Sequence, residues 1–167
     1  EYFSDKKFLK TTSKFVWDNC IKALELVCGA ARDRTWAKDI RIKGQHFLKG
    51  IVMAPGDGKT GYSASEVVVA CYITPGSEYI DFVSKVALAD PSCDPAGGST
   101  GSVEFVAEAE LEDEKTEKES RVIRRGDESD VKIRVVGSKK LTLKVNNLDE
   151  DNHCDHAVWA NAAFTTF

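Results

Sequence analysis

The feature that most constrains the fold is a set of short segments in which apolar and polar residues alternate with a period of two. Ser102 to Leu111 is the clearest: Val103, Phe105, Ala107, Ala109 and Leu111 fall on one side, and Glu104, Glu108 and Glu110 on the other. A strand points successive side chains to opposite faces, so this segment fits a half-buried strand and not a helix. Val131-Lys132-Ile133-Arg134-Val135 and Leu141-Thr142-Leu143-Lys144-Val145 repeat the pattern, with Gly137-Ser138 as the turn between them. A strand with one apolar face must bury it against another layer. Several such strands with regular turn signals therefore predict an all-β sandwich or barrel.

The remaining segments agree. Ile40-Arg41-Ile42, closed by Lys43-Gly44-Gln45 and resumed over 47–52, predicts a hairpin with a glycine turn. Glu66 to Thr74 is continuously apolar and β-branched, long enough for a buried strand but short for a helix, and Pro75-Gly76 ends it. Tyr79 to Leu88 follows as a strand with Ile80, Phe82, Val86 and Leu88 on one parity, while 54–61 and 90–101 are loops by composition. Near the N-terminus, Trp17, Cys20, Ile21, Leu24 and Cys28 form a helical stripe, although Leu24 to Cys28 also fits a strand. At 167 residues the chain suits a single domain spanning 1–167.

Charge and cysteine content narrow the class. A net charge of −4 gives no global positive field to gather phosphates, which argues against nucleic acid as partner. No apolar stretch approaches the roughly 18 to 20 residues needed to span a bilayer. The chain starts at Glu1 without a charged start and apolar run, so it reads as a mature product or an excised segment. Five cysteines without CxxC spacing suggest an oxidising compartment with one or two disulfides, the odd count leaving at least one unpaired. Cys71, inside the run 67–73, reads as a small buried hydrophobe. Acids concentrate over 108–119 and bases over 121–140. The expectation is that they pair across neighbouring strands, the alternative being a partner-binding stripe around Arg121, Arg124 and Arg125.

Catalytic signatures fail on inspection. Gly58-Lys59-Thr60 lacks the first glycine of a phosphate-binding loop, Met53 standing there, and no long helix pattern follows. Gly61-Tyr62-Ser63-Ala64-Ser65 ends in Ser where a nucleophile elbow needs Gly. The chain therefore reads as non-catalytic. The loop 146–156 gathers metal-binding residue types. Asp149, Asp151 and Asp155, with Asn152 and backbone carbonyls, partly meet the oxygen requirement of a structural Ca2+, although an EF-hand pattern fails at His153 and Cys154. Zinc would draw on His153, Cys154 and His156, which are crowded for a tetrahedral set, and a plain solvated acidic turn is the competing reading.

Here the chain resembles a known family. Gly137-Ser138-Lys139-Lys140-Leu141-Thr142-Leu143-Lys144-Val145, the polar loop, and then Asp155-His156-Ala157-Val158-Trp159-Ala160-Asn161-Ala162 match the closing pattern of the NPCBM carbohydrate-binding family, whose modules are appended to glycosidases. Ser4-Asp5, the segment 40–51 and Gly101-Ser102-Val103-Glu104-Phe105 match its earlier landmarks in order. The sequence departs from the pattern at Met53, where the family usually carries His, and in the inserted Gly-rich loop and the Cys-bearing N-terminal segment. The resemblance implies a jelly-roll β-sandwich of two antiparallel sheets and a galactose-type glycan or glycoprotein as partner. It also implies an extracellular or cell-surface setting within a larger protein.

A sugar site needs an aromatic face and a few fixed hydrogen-bonding groups. Asp155, His156 and Trp159, with Trp36 or Arg34 from the earlier loop, are the candidates. Strand parity over 157–164 puts Ala157, Trp159, Asn161 and Ala163 on one face, which also allows Trp159 to be a core anchor. His156 equally suits a turn locked by Asp155. The departure at Met53 leaves a second functional reading, a protein-interaction module on the same sandwich that has lost sugar binding.

Overall fold

The computed structural model describes residues 30–32, 40–53, 55, 66–73, 79–89, 102–124, 126–148 and 156–166. The expected N-terminal helix over 17–28 lies outside them. The described strands are β1 (Ala30–Arg32), β2 (Ile40–Ile42), β3 (Gln45–Phe47), β4 (Gly50–Met53), β5 (Glu66–Tyr72), β6 (Tyr79–Leu88), β7 (Ser102–Leu111), β8 (Thr116–Arg124), β9 (Glu128–Arg134), β10 (Ser138–Asn147) and β11 (Ala157–Thr166). They form a five-stranded sheet in the order β1-β4-β11-β6-β9 and a four-stranded sheet in the order β5-β10-β7-β8, with β2-β3 as a separate hairpin. Every pairing is antiparallel. From β4 onward the chain alternates between the two sheets except at the β7–β8 hairpin, giving the expected jelly-roll sandwich.

The alternating segments bury the predicted sides. Val103, Phe105, Ala107 and Ala109 from β7, Leu141, Leu143 and Val145 from β10, and Val131 and Ile133 from β9 share one core with Phe82, Val86 and Trp159. Interdigitation of two such faces is what sandwich packing requires. A second cluster lies on the outer side of the five-stranded sheet. There Ile40, Ile42 and Phe47 of the hairpin cover Val52, Ala87, Val158 and Ala160.

The hairpin turn has Lys43 at φ 50° and Gly44 at φ 78°. Positive φ at both central residues is the twist that a two-residue hairpin turn demands. The segment 47–52, expected as one strand, breaks at Leu48-Lys49. The chain must step there from the outer layer into the sheet, so β3 ends at Phe47 and β4 begins at Gly50. Gly50 is required by proximity. A Cβ on it would stand 2.9 Å from Ile40 Cδ1 and 3.0 Å from the Trp159 carbonyl oxygen.

β11 carries the largest departure from simple alternation. Its register against β6 shifts between Ala160 and Ala163, and Asn161 adopts φ 49°. This is a β-bulge, in which an extra residue reverses the parity of the rest of the strand. Ala157 and Trp159 face the main core before it, and Ala162 and Phe164 face the same core after it, whereas Asn161 is exposed. The expected sharing of one face by Trp159, Asn161 and Ala163 is thus corrected. Two groups accommodate the bulge: Asn161 N–H donates to the Lys49 carbonyl at 2.9 Å, and the buried Ser84 hydroxyl reaches the Ala160 carbonyl at 3.2 Å.

Candidate functional site

Because the strands are antiparallel and alternate between sheets, the connections β4–β5, β6–β7, β8–β9 and β10–β11 all leave from one end of the sandwich. The polar loops singled out in the sequence belong to these connections. His156 stands at this end, half-buried, immediately before β11. Its backbone carbonyl accepts a hydrogen bond from Ala89 N–H at 2.8 Å, which fastens the entry of β11 to the end of β6. Beside it, Met53 is opposite Ala157 in register and fully buried. Leu148 N–H donates to the Ser102 carbonyl at 3.0 Å, tying the exit of β10 to the start of β7. Leu148 itself is 50% exposed, so an apolar side chain is on show at the end that carries His156.

The imidazole of a histidine at a strand entry can donate from one ring nitrogen and accept at the other, the capacity a sugar hydroxyl requires. Asp155, Trp36 and Arg34 lie outside the described residues, as do the calcium candidates Asp149, Asp151 and Asp155 and the motifs at 58–60 and 61–65. Among the described residues no group of three or more His, Cys, Asp or Glu is placed to hold a metal ion. Also among them, no helix is long and apolar enough to cross a membrane.

Trp159 needs correction as a sugar contact. Its side chain is 0% exposed and packs edge-on to Phe105, ring centroids 5.1 Å apart, with Phe82 at 6.1 Å. A ring enclosed by both sheets offers no face to a ligand. Its Nε1–H finds no acceptor among the described residues. A buried donor left unpaired costs stability, a cost here set against the large apolar area that the indole buries. Trp159 is the anchor of the core, the alternative that strand parity had offered.

The charged segments divide in a way that parity decides. Lys144 Nζ lies 3.3 Å from Glu108, and Lys139 and Lys140 lie 3.2 and 3.3 Å from Glu110. Asn146 Nδ2 donates to Glu104 at 3.1 Å. These are the expected cross-strand pairs, formed between β7 and β10. On the other sheet Lys85 of β6 faces Glu128 and Asp130 of β9 at 3.7 and 3.6 Å. Among the described residues the alternative arginine stripe is divided between the two faces of β8. Arg121 is in register with the inward Phe105, and Arg124 with Ser102 on the opposite face, while Arg125 lies outside the described residues. Arg121 instead pairs with Glu119 of its own strand at 2.9 Å.

Sequence reasoning passed over β8 and Ser84. The run 116–124 is almost wholly charged or polar and shows no apolar alternation to mark a strand. Ser84 is a lone hydroxyl in a hydrophobic segment, and its role depends on a bulge in another strand.

The two-sheet sandwich thus brings four connections to one end, with His156 at the root of one of them. The chain belongs to the NPCBM/NEW2 domain family, whose profile matches residues 27–165. Solved structures share the fold. CBM51-2 with INT domains from Clostridium perfringens ZmpB, in complex with GlcNAc, is 22% identical with a TM-score of 0.57, over 81% of this chain and 27% of that one. CBM51 from Clostridium perfringens GH95, in complex with methyl-galactose, is 19% identical with a TM-score of 0.57, over 81% and 87%. The tandem CBM51 modules of Sp3GH98, the family 98 glycoside hydrolase from Streptococcus pneumoniae SP3-BS71, are 17% identical with a TM-score of 0.61, over 83% and 41%. At these identities the likeness is one of fold. This chain thus spans 27% of the ZmpB structure and 41% of the tandem modules. No curated protein matches the chain.

Proposed function

We propose that this domain is a non-catalytic carbohydrate-binding module of a larger secreted or cell-surface protein, and that it takes a galactose-type glycan at the loop end of the sandwich. The observation that carries the reading is the place of His156. It is half-buried at the root of the end that gathers four connections, in a chain that belongs to the NPCBM/NEW2 family. Asp155 and His156 supply the hydrogen bonds that orient the sugar, with Trp36 or Arg34 completing the contact. The CBM51 module solved with methyl-galactose supports that choice of ligand. The interaction-module reading rests on Met53 at the family His position, with less support from the arginines, since parity sends Arg121 and Arg124 to opposite faces.

Calorimetric titration of the intact chain with methyl-galactose tests the reading. Binding that weakens about tenfold or more in His156→Ala, with the melting transition kept, is the expected result. An intact, folded chain that binds neither galactosides nor any member of a glycan array removes the proposal. A structural calcium ion held by Asp149, Asp151 and Asp155 belongs to the same reading. Chelation with EDTA should then lower the melting temperature and added calcium restore it, whereas an unchanged transition dismisses the ion. Mapping the five cysteines by mass spectrometry without reduction checks the secretory setting, since free thiols throughout would speak against it.

A further inference from the structure

The β2–β3 hairpin packs on the outer face of the five-stranded sheet only toward the loop end, over Val52, Ala87, Val158 and Ala160. Beyond the bulge, two cross-strand rows continue that face: Ala163–Val83–Lys132 and Thr165–Asp81–Arg134. Val83, Ala163 and Thr165 are half-buried, and Lys132 and Arg134 are exposed. Neighbouring strands stand about 4.8 Å apart, so β11, β6 and β9 make a shelf about 10 Å across, floored by small side chains and edged on one side by cations. Asn161, exposed at the bulge, adds an amide at its upper corner.

The charge on this side runs against the chain as a whole. Among the described residues, Arg41 of the hairpin and Lys85, Lys132 and Arg134 of the outer face stand against Asp81, Glu128 and Asp130. The complete chain carries −4. The two carboxylates at the loop-end side, Glu128 and Asp130, share Lys85 at 3.7 and 3.6 Å. On the shelf the one carboxylate among the described residues, Asp81, has a side chain 16% exposed with Lys132 Nζ at 3.4 Å. Arg134 has no ion-pair partner among the described residues, and its planar fork of donors matches a carboxylate or sulfate in two parallel bonds.

We infer that this shelf is a second glycan-binding surface, separate from the loop end, and that its ligand is an anionic glycan carrying carboxylate or sulfate groups. Ala163 and Val83 let a sugar ring lie close to the sheet, Asn161 bonds its hydroxyls, and Arg134 with Lys132 holds the acidic group. The inference rests on the reading of the domain as a glycan-binding module.

The test uses the intact chain and the double variant Lys132→Glu with Arg134→Glu. Both residues are exposed, so the fold is retained, which a melting curve verifies. The probes are a galacturonate trimer, a heparin-derived hexasaccharide, poly-glutamate and methyl-galactose. The expected result is salt-sensitive binding of one or both acidic glycans that falls about tenfold or more in the double variant, with methyl-galactose binding unchanged. The galacturonate and heparin arms tell carboxylate from sulfate. Acidic glycan binding that survives the double variant overturns the assignment of the shelf, as does equal affinity for poly-glutamate. Binding of methyl-galactose with none of either acidic glycan overturns this inference alone. Failure of every glycan overturns the reading on which it rests.

Discussion

Trp159 joins the two sheets. Its ring touches Phe105 of the four-stranded sheet and lies beside Phe82 of its own, with no surface left in water. Trp159→Ala should cost about 3–5 kcal/mol in urea unfolding, the usual range for removing a large aromatic from a core. Trp159→Phe should cost clearly less, because it also deletes the N–H that has no acceptor among the described residues, and it should leave sugar affinity intact. Loss of sugar affinity in a folded Trp159→Phe protein would return the residue to the site. Glu110 gives a second measurement at this scale. Hydrogen bonds from Lys139 and then Lys140 hold its carboxyl below the ordinary range. A group whose folded pKa is depressed contributes stability above its unfolded pKa and loses it as pH falls through the folded value. Lys139→Ala with Lys140→Ala should therefore raise the Glu110 pKa toward normal in an NMR titration and flatten stability on the acid side. The change in stability will be small, since the groups are solvent-accessible.

At the scale of elements, β4 and β11 depend on a missing side chain. Gly50→Ala places a methyl 3.0 Å from the Trp159 carbonyl, backbone that cannot swing aside, and a loss of about 1–3 kcal/mol in thermal or urea unfolding is expected. Asn161→Gly, at the left-handed bulge residue, should be neutral or stabilising by contrast. How legible these elements were in the sequence depends on the physical cause of each. β7, β9 and β10 were readable because one face is dry and the other wet, which writes a period of two into the sequence. The β2–β3 hairpin was readable because Gly44 relieves the turn. The bulge was not, because Asn161-Ala162-Ala163 carries no apolar signature and its necessity comes from the register against β6. β8 was hidden because nearly all of it is charged or polar, on both faces. Of the site, the Asp155-to-Ala160 run was the strongest marker in the sequence. Strand parity left Trp159 open between core and sugar contact, and only three-dimensional packing decided for the core.

For the molecule as a whole, the organisation is one dry seam between two sheets, a second cluster under the hairpin, and polar groups sorted by sheet and by end. Which strands would neighbour which was beyond the sequence, since the pairing of β11 with β4 and β6 joins segments far apart in the chain. At the lateral margin of the four-stranded sheet, β8 has no partner on its outer side among the described residues, yet Glu117, Glu119 and Arg121 sit on the parity that β7 devotes to the core. A strand from a second copy could join that margin only by drawing these charges toward a dry interior, which strands at the border of a sheet commonly use to refuse new neighbours. Where many copies crowd together, this is a safeguard against zipping into extended sheets.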